Sequence, residues 1–144
     1  MLAIVGVIAA MAAPRYTDAL SRYRMDLAAR RIADDLSLAQ SRARSSSSSR
    51  TITFSVDTNS YQLPLERDLN LASSSYSVRL ADDPYCVTLT KVNVGINGGP
   101  NVKTLSITFN GYGVPSTAAT IAINCGSYQR KVLIDGDSGT TSIQ

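Results

Sequence analysis

Thirty residues without glycine or proline, Arg15 to Arg44, lie between an all-apolar run and a five-serine run, and this stretch constrains everything around it. Its alanines, leucines, arginines and aspartates favour one long helix. Met25, Ala28, Ile32, Leu36, Ala39 and Ala43 recur at spacings of three and four, a stripe that should pack against a core. Leu20, Tyr23 and Leu27 form a second stripe, rotated from the first and nearer the amino terminus. One wide core face accounts for both stripes, and so does a helix that gives one face to its own domain and another to neighbouring helices.

Ser45 to Ser49 should end the helix, and beyond Arg50 the apolar period changes from 3.6 to 2. Strands are expected at residues 51–56, 61–65, 76–80, 86–94, 104–109, 120–125, 130–134 and 140–143, with a hairpin across Gly126 and Ser127. Turn signals about every 10 residues indicate an antiparallel sandwich or curled sheet. The expected fold class is therefore α+β, with a long amino-terminal helix packed on a carboxyl-terminal antiparallel head. The organisation is residues 1–44 for the helix, divided at 13/14, and residues 45–144 for the β-rich head.

Met1 to Ala13 is apolar throughout and stops at Pro14 and Arg15. As a helix it covers about 20 Å, less than the roughly 30 Å hydrocarbon core of a bilayer. A secretory signal peptide would begin with a charged segment, and this run is apolar from Met1. A core helix apolar on every face would need protein all around it. The third reading is the remainder of a membrane helix, which about eight more apolar residues would bring to spanning length. Pro14 lacks an amide hydrogen, so a kink or local break is expected there.

Charge and chemistry narrow the function classes. The net charge is +3, but residues 1–50 carry eight Arg against four Asp, whereas residues 51–144 carry six basic and seven acidic side chains. The helix arginines alternate with Asp18, Asp26, Asp34 and Asp35, with Asp26–Arg30 and Arg31–Asp35 placed to pair four residues apart. A solvated or subunit-pairing surface suits that pattern better than a nucleic-acid patch. With no histidine and only two cysteines, Cys86 and Cys125, the chain lacks the commonest general base and the ligands of the usual zinc sites. Asn97 to Asn101 is glycine-rich without a lysine-serine partner or a following helix, and Asp82-Asp83 and Asp135 to Asp137 lack calcium-loop spacing. The expectation is a protein without catalytic residues, cofactor or metal.

Gly6, then small and aliphatic residues, then Pro14-Arg15-Tyr16 opening a long amphipathic helix, resembles the amino-terminal helix of type IV pilins and type II secretion pseudopilins. Ala28-Ala29-Arg30-Arg31-Ile32-Ala33-Asp34-Asp35-Leu36, the run Ser37 to Ala43, the strand that follows at once, and Ile107-Thr108-Phe109-Asn110-Gly111-Tyr112-Gly113 look most like the H-type minor pseudopilins and T-type fimbrial minor pilins. By that resemblance the basic leader and the glutamate-containing motif of the family would precede Met1, and the helix would be about eight residues longer. Gly6 and Pro14 would then set the bend of the helix, and residues 1–13 would be embedded in a membrane.

The resemblance further implies a β-sandwich head on a helical stalk, held in a bacterial inner membrane with the head in the periplasm until assembly extracts it. The partners would be other pilins or pseudopilins in a filament or tip complex. An exported location makes a Cys86–Cys125 disulfide the leading reading over two buried thiols. The implied function is that of a structural minor pseudopilin of type II secretion. The alternative is a minor pilin in type IV pilus biogenesis or DNA uptake, with Arg130 and Lys131 as the candidate phosphate contacts, although residues 139–144 contain no arginine. A Sec-exported β-sandwich unrelated to pili, cleaved near Ala13, is the third reading.

Overall fold

The computed structural model describes the backbone of residues 2–67, 75–96 and 99–144, and side chains from Tyr16 onward. One helix, α1 (Leu2–Ser46), is followed by nine strands. They are β1 (Arg50–Ser55), β2 (Ser60–Arg67), β3 (Ser75–Arg79), β4 (Thr88–Val94), β5 (Asn101–Val102), β6 (Thr104–Phe109), β7 (Ala119–Cys125), β8 (Tyr128–Ile134) and β9 (Thr141–Ile143). They form two antiparallel sheets, one ordered β3-β2-β1-β6 and the other β5-β4-β7-β8-β9. The architecture is α+β, as its periodicities indicate.

The helix runs without interruption through Gly6 and Pro14, so the local break expected at Pro14 is absent. A proline inside a helix removes one hydrogen bond and bends the axis, which a helix this long accommodates. At the other end the serine run supplies a left-handed stop. Ser47 has φ 47°, Ser48 N donates to Ala43 O at 3.2 Å, and Ser47 N donates to Arg44 O at 3.3 Å. This pair of bonds is a Schellman cap, which satisfies carbonyls that the helix end leaves open.

Met25, Ala28, Ile32, Leu36, Ala39 and Ala43 are all buried, together with Ala29. The small residues let the helix lie close to both sheets, touching β1 and β6 of the first and β7, β8 and β9 of the second. From β1 come Ile52 and Phe54, from β6 Leu105, Ile107 and Phe109, and from β7 Ile121 and Ile123, alternating inward as the period of two requires. On the outer side of the β1–β6 pair, Thr51 meets Thr108 at 2.9 Å and Thr53 meets Ser106 at 3.0 Å. Pro64, within β2, lacks a ladder donor, and the β2–β3 register shifts between Leu63 and Arg67.

Two sequence expectations are corrected here. Cys86 does not begin a strand: it sits at φ 51° in the turn before β4, which starts at Thr88. The stretch between the strands expected at 86–94 and 104–109 is not all loop: Asn101–Val102 pairs with β4. Asn97 and Gly98 of the glycine-rich stretch lie outside the described residues.

Candidate functional site

The side of α1 that faces the head is fastened by polar contacts as well as by apolar packing. At its centre Asp35, 5% exposed, accepts from the Tyr61 hydroxyl at 2.5 Å and from the Tyr76 hydroxyl at 3.0 Å, both on its Oδ2. Arg31, one turn earlier, approaches the same oxygen at 3.3 Å and also donates to the Tyr76 hydroxyl. A buried carboxylate is tolerable only when it is paired and hydrogen-bonded in this way. Burial, followed by the neighbouring Asp35 carboxylate, raises the Tyr61 hydroxyl well above the ordinary phenol range. Tyr76 is pushed up to about 12, chiefly by burial, with Arg31 pulling in the opposite direction.

Nearer the amino terminus, the Arg22 guanidinium lies 4.6 Å from the centre of the Tyr128 ring and donates to its hydroxyl at 3.1 Å. Asp26 accepts from Arg130 Nε at 2.9 Å. The pairing expected within the helix, Asp26 with Arg30, is therefore replaced by a contact to β8. Asp26 is on the side facing the head, and Arg30 is exposed to solvent. Arg31–Asp35 does pair as its spacing suggests.

Toward the carboxyl end, Gln40 Nε2 donates to Gly113 O and to Ser138 O, each at 2.8 Å, so one side chain holds the turns that follow β6 and β8. Arg44 Nε donates to Tyr112 O at 3.1 Å. Gly113 has φ 78°, a conformation that favours glycine, and a side chain there would meet Arg44 Nε at 2.3 Å and displace it. From Arg22 to Arg44 the helix is thus joined to both sheets.

Among the described residues, the other side of the helix is left uncovered around Tyr16 and Tyr23. Tyr16 is 71% exposed and Tyr23 is 65% exposed. They are seven residues apart, two turns, and lie nearly in line along the axis. Tyr23 belongs to the second stripe noted in the sequence; its companions Leu20 and Leu27 are half-buried. Among the described residues, no helix is long and apolar enough to cross a membrane.

Cys86 and Cys125 are both free thiols, and Cys125 Sγ lies 3.6 Å from the Cys86 carbonyl oxygen. Cys86 Sγ donates to Asp83 Oδ1 at 3.1 Å, which raises its pKa. Arg130 and Lys131 do not form one patch. Neighbours along a strand point to opposite faces, and Arg130 turns to Asp26 under the helix while Lys131 faces outward. Asp135 is occupied by its own turn, accepting from Ser138 Oγ at 2.7 Å, and its pKa is lowered by that bond. Among the described residues, no cluster of three or more acidic, cysteine or histidine side chains is placed to hold a metal ion.

The sequence does not reveal Arg130 as the partner of Asp26, Tyr61 and Tyr76 as partners of Asp35, or the two carbonyls held by Gln40, because these lie 26 to 104 residues away in the chain. The one available signal was an aspartate, Asp35, set within an apolar stripe.

A long helix is thus fixed along one side to two antiparallel sheets, with Tyr16 and Tyr23 exposed on the other. The model of the family described as type II transport protein GspH matches residues 28–139, well over half of the chain. The chain belongs to that family, the minor pseudopilins of type II secretion. Pseudopilins of this family are anchored in the inner membrane and assemble into a periplasmic pseudopilus. No curated protein and no solved structure shows a significant match to the chain.

Proposed function

We propose that this chain is a structural subunit of a type II secretion pseudopilus, acting through helix packing and head contacts. The carboxyl-terminal part of α1 packs into the head, and the amino-terminal part carries the contacts to neighbouring helices. The observation that carries this reading is the exposure of Tyr16 and Tyr23 on a helix whose opposite side is fully engaged from Arg22 to Arg44. Exposed aromatic rings in line along a helix are the kind of surface that partners cover. Residues 1–13 anchor the subunit in the inner membrane before assembly, and the bend at Pro14 sets the direction in which the stalk enters the filament. The chain supplies no catalysis; the assembly machinery does the work.

The test is the double substitution Tyr16→Glu with Tyr23→Glu in the full-length protein. The head should retain its thermal unfolding midpoint, because neither ring contributes to the core, while incorporation into the pseudopilus and secretion should fall. Normal secretion by a correctly folded double variant would refute the reading.

A further inference from the structure

Two of the three lysines in the chain stand on either side of a single small residue. In the second sheet Lys91 of β4 is opposite Ala122 of β7, and Ala122 is opposite Lys131 of β8. Two strand spacings put their backbones about 10 Å apart, a gap that two four-carbon side chains close from both sides. The β4–β7 register shifts between Leu89 and Lys91, and Lys91 is exposed while Leu89 and Val92 are buried.

Ala122 forms the floor of a cleft of about 240 Å³. Its walls carry Asn93, Ile96, Leu133 and Gln144, whose backbone pairs with that of Lys131, besides the two lysines. Ile96 is 46% exposed, an apolar side chain at the rim. Among the described residues, neither Lys91 nor Lys131 forms an ion pair, whereas the third lysine, Lys103, is paired with Asp57 at 3.7 Å. Asn93 Oδ1, shielded from solvent, has no hydrogen-bond partner.

We propose that this cleft receives a carboxylate-bearing segment of a neighbouring subunit, with Lys91 and Lys131 converging on the carboxylate and Ile96 and Leu133 against an adjoining apolar side chain. The proposal rests on the filament-subunit reading above. Charge favours an acidic peptide over a nucleic acid. A phosphate track places one charge per about 1.7 Å of duplex and calls for basic residues that continue along it. Here the run stops at two, because Arg130 is turned to the other face and neutralised by Asp26.

The experiment is an NMR titration of the full chain in detergent micelles with two probes in parallel, the capped peptide acetyl-Leu-Asp-Glu-Leu-amide and a 12-base-pair DNA duplex. The peptide should shift the amide resonances of Lys91, Ala122 and Lys131, and its affinity should fall at least tenfold in the Lys91→Gln/Lys131→Gln variant. Both lysines are exposed, so the variant should keep its remaining resonances unchanged. No shift at these amides, peptide shifts centred elsewhere, or tighter binding of the duplex than of the peptide would each overturn the proposal. The titration reads unassembled protein, so its failure leaves the filament role standing, and failure of the Tyr16/Tyr23 test leaves the cleft measurement intact.

Discussion

Tyr61 of β2 donates its hydroxyl to Asp35 of α1 at 2.5 Å, and this bond joins the helix to the first sheet where both are buried. Tyr76 and Arg31 complete the surroundings of the carboxylate. Removing the acceptor by Asp35→Ala leaves the Tyr61 hydroxyl buried without a partner, a loss of about 1 to 3 kcal/mol. Chemical denaturation should show this as a lowered midpoint with an unchanged slope, and Asp35→Asn should recover part of it. A midpoint unchanged by Asp35→Ala would show that the network contributes nothing to stability.

The same cluster predicts a loss of stability in alkali. Unfolded, both tyrosines ionise near 10. Folded, burial holds Tyr76 protonated to about 12, and Tyr61 is raised as well. The stabilisation is fully present below pH 10 and is lost as pH rises from about 10 toward 12, because only the unfolded chain releases these protons there. The urea midpoint should fall between pH 9 and pH 11, and it should fall less in Tyr76→Phe. An identical fall in that variant would exclude Tyr76 as a contributor.

Ser47 holds the left-handed position of the helix cap at φ 47°. A non-glycine residue there costs about 1–2 kcal/mol, while glycine adds about 0.5–1 kcal/mol of unfolded-state entropy. Ser47→Gly should therefore stabilise the protein by about 0.5 kcal/mol, read as a small rise in Tm. A fall in Tm would contradict the cap geometry.

Much of the architecture could be read from periodicity. The stripe from Met25 to Ala43 shows because a helix repeats its buried face every three or four residues, and the strands show because they alternate. The contacts that fasten the helix were hidden for a different reason. Charge spacing finds Arg31–Asp35, which are neighbours in sequence, but it assigns Asp26 to Arg30 because Arg130 is 104 residues away. Strand β5, with two residues, is too short to show alternation. The apolar Val87 and Leu89 make Cys86 look like part of β4, whereas the turn before Thr88 holds it outside the ladder. Tyr16 and Tyr23 are legible as residues, but only the position of the head shows that, among the described residues, nothing covers them.

The two cysteines are expected to join when the protein is oxidised after export. They are free here, with Cys125 Sγ 3.6 Å from the Cys86 carbonyl. The bond would close a loop spanning 39 positions and contribute about 2 to 4 kcal/mol. Alkylation of the native protein without reductant, followed by mass measurement, should add no label, and two labels would rule the bond out. In the reduced protein Asp83→Asn should speed alkylation of Cys86, because the hydrogen bond that raises its pKa is weakened.

The central claim is that α1 gives one side to its own head and the other to its neighbours. Its most direct measurement is site-specific photocrosslinking in cells that carry the assembly machinery, with the crosslinking residue at Tyr23 in one strain and at Ile32 in another. Tyr23 should yield adducts with a second pilin-type subunit that depend on the machinery, and buried Ile32 should yield none with other chains. Absence of subunit adducts at Tyr23, or equal yields at the two positions, would contradict the account.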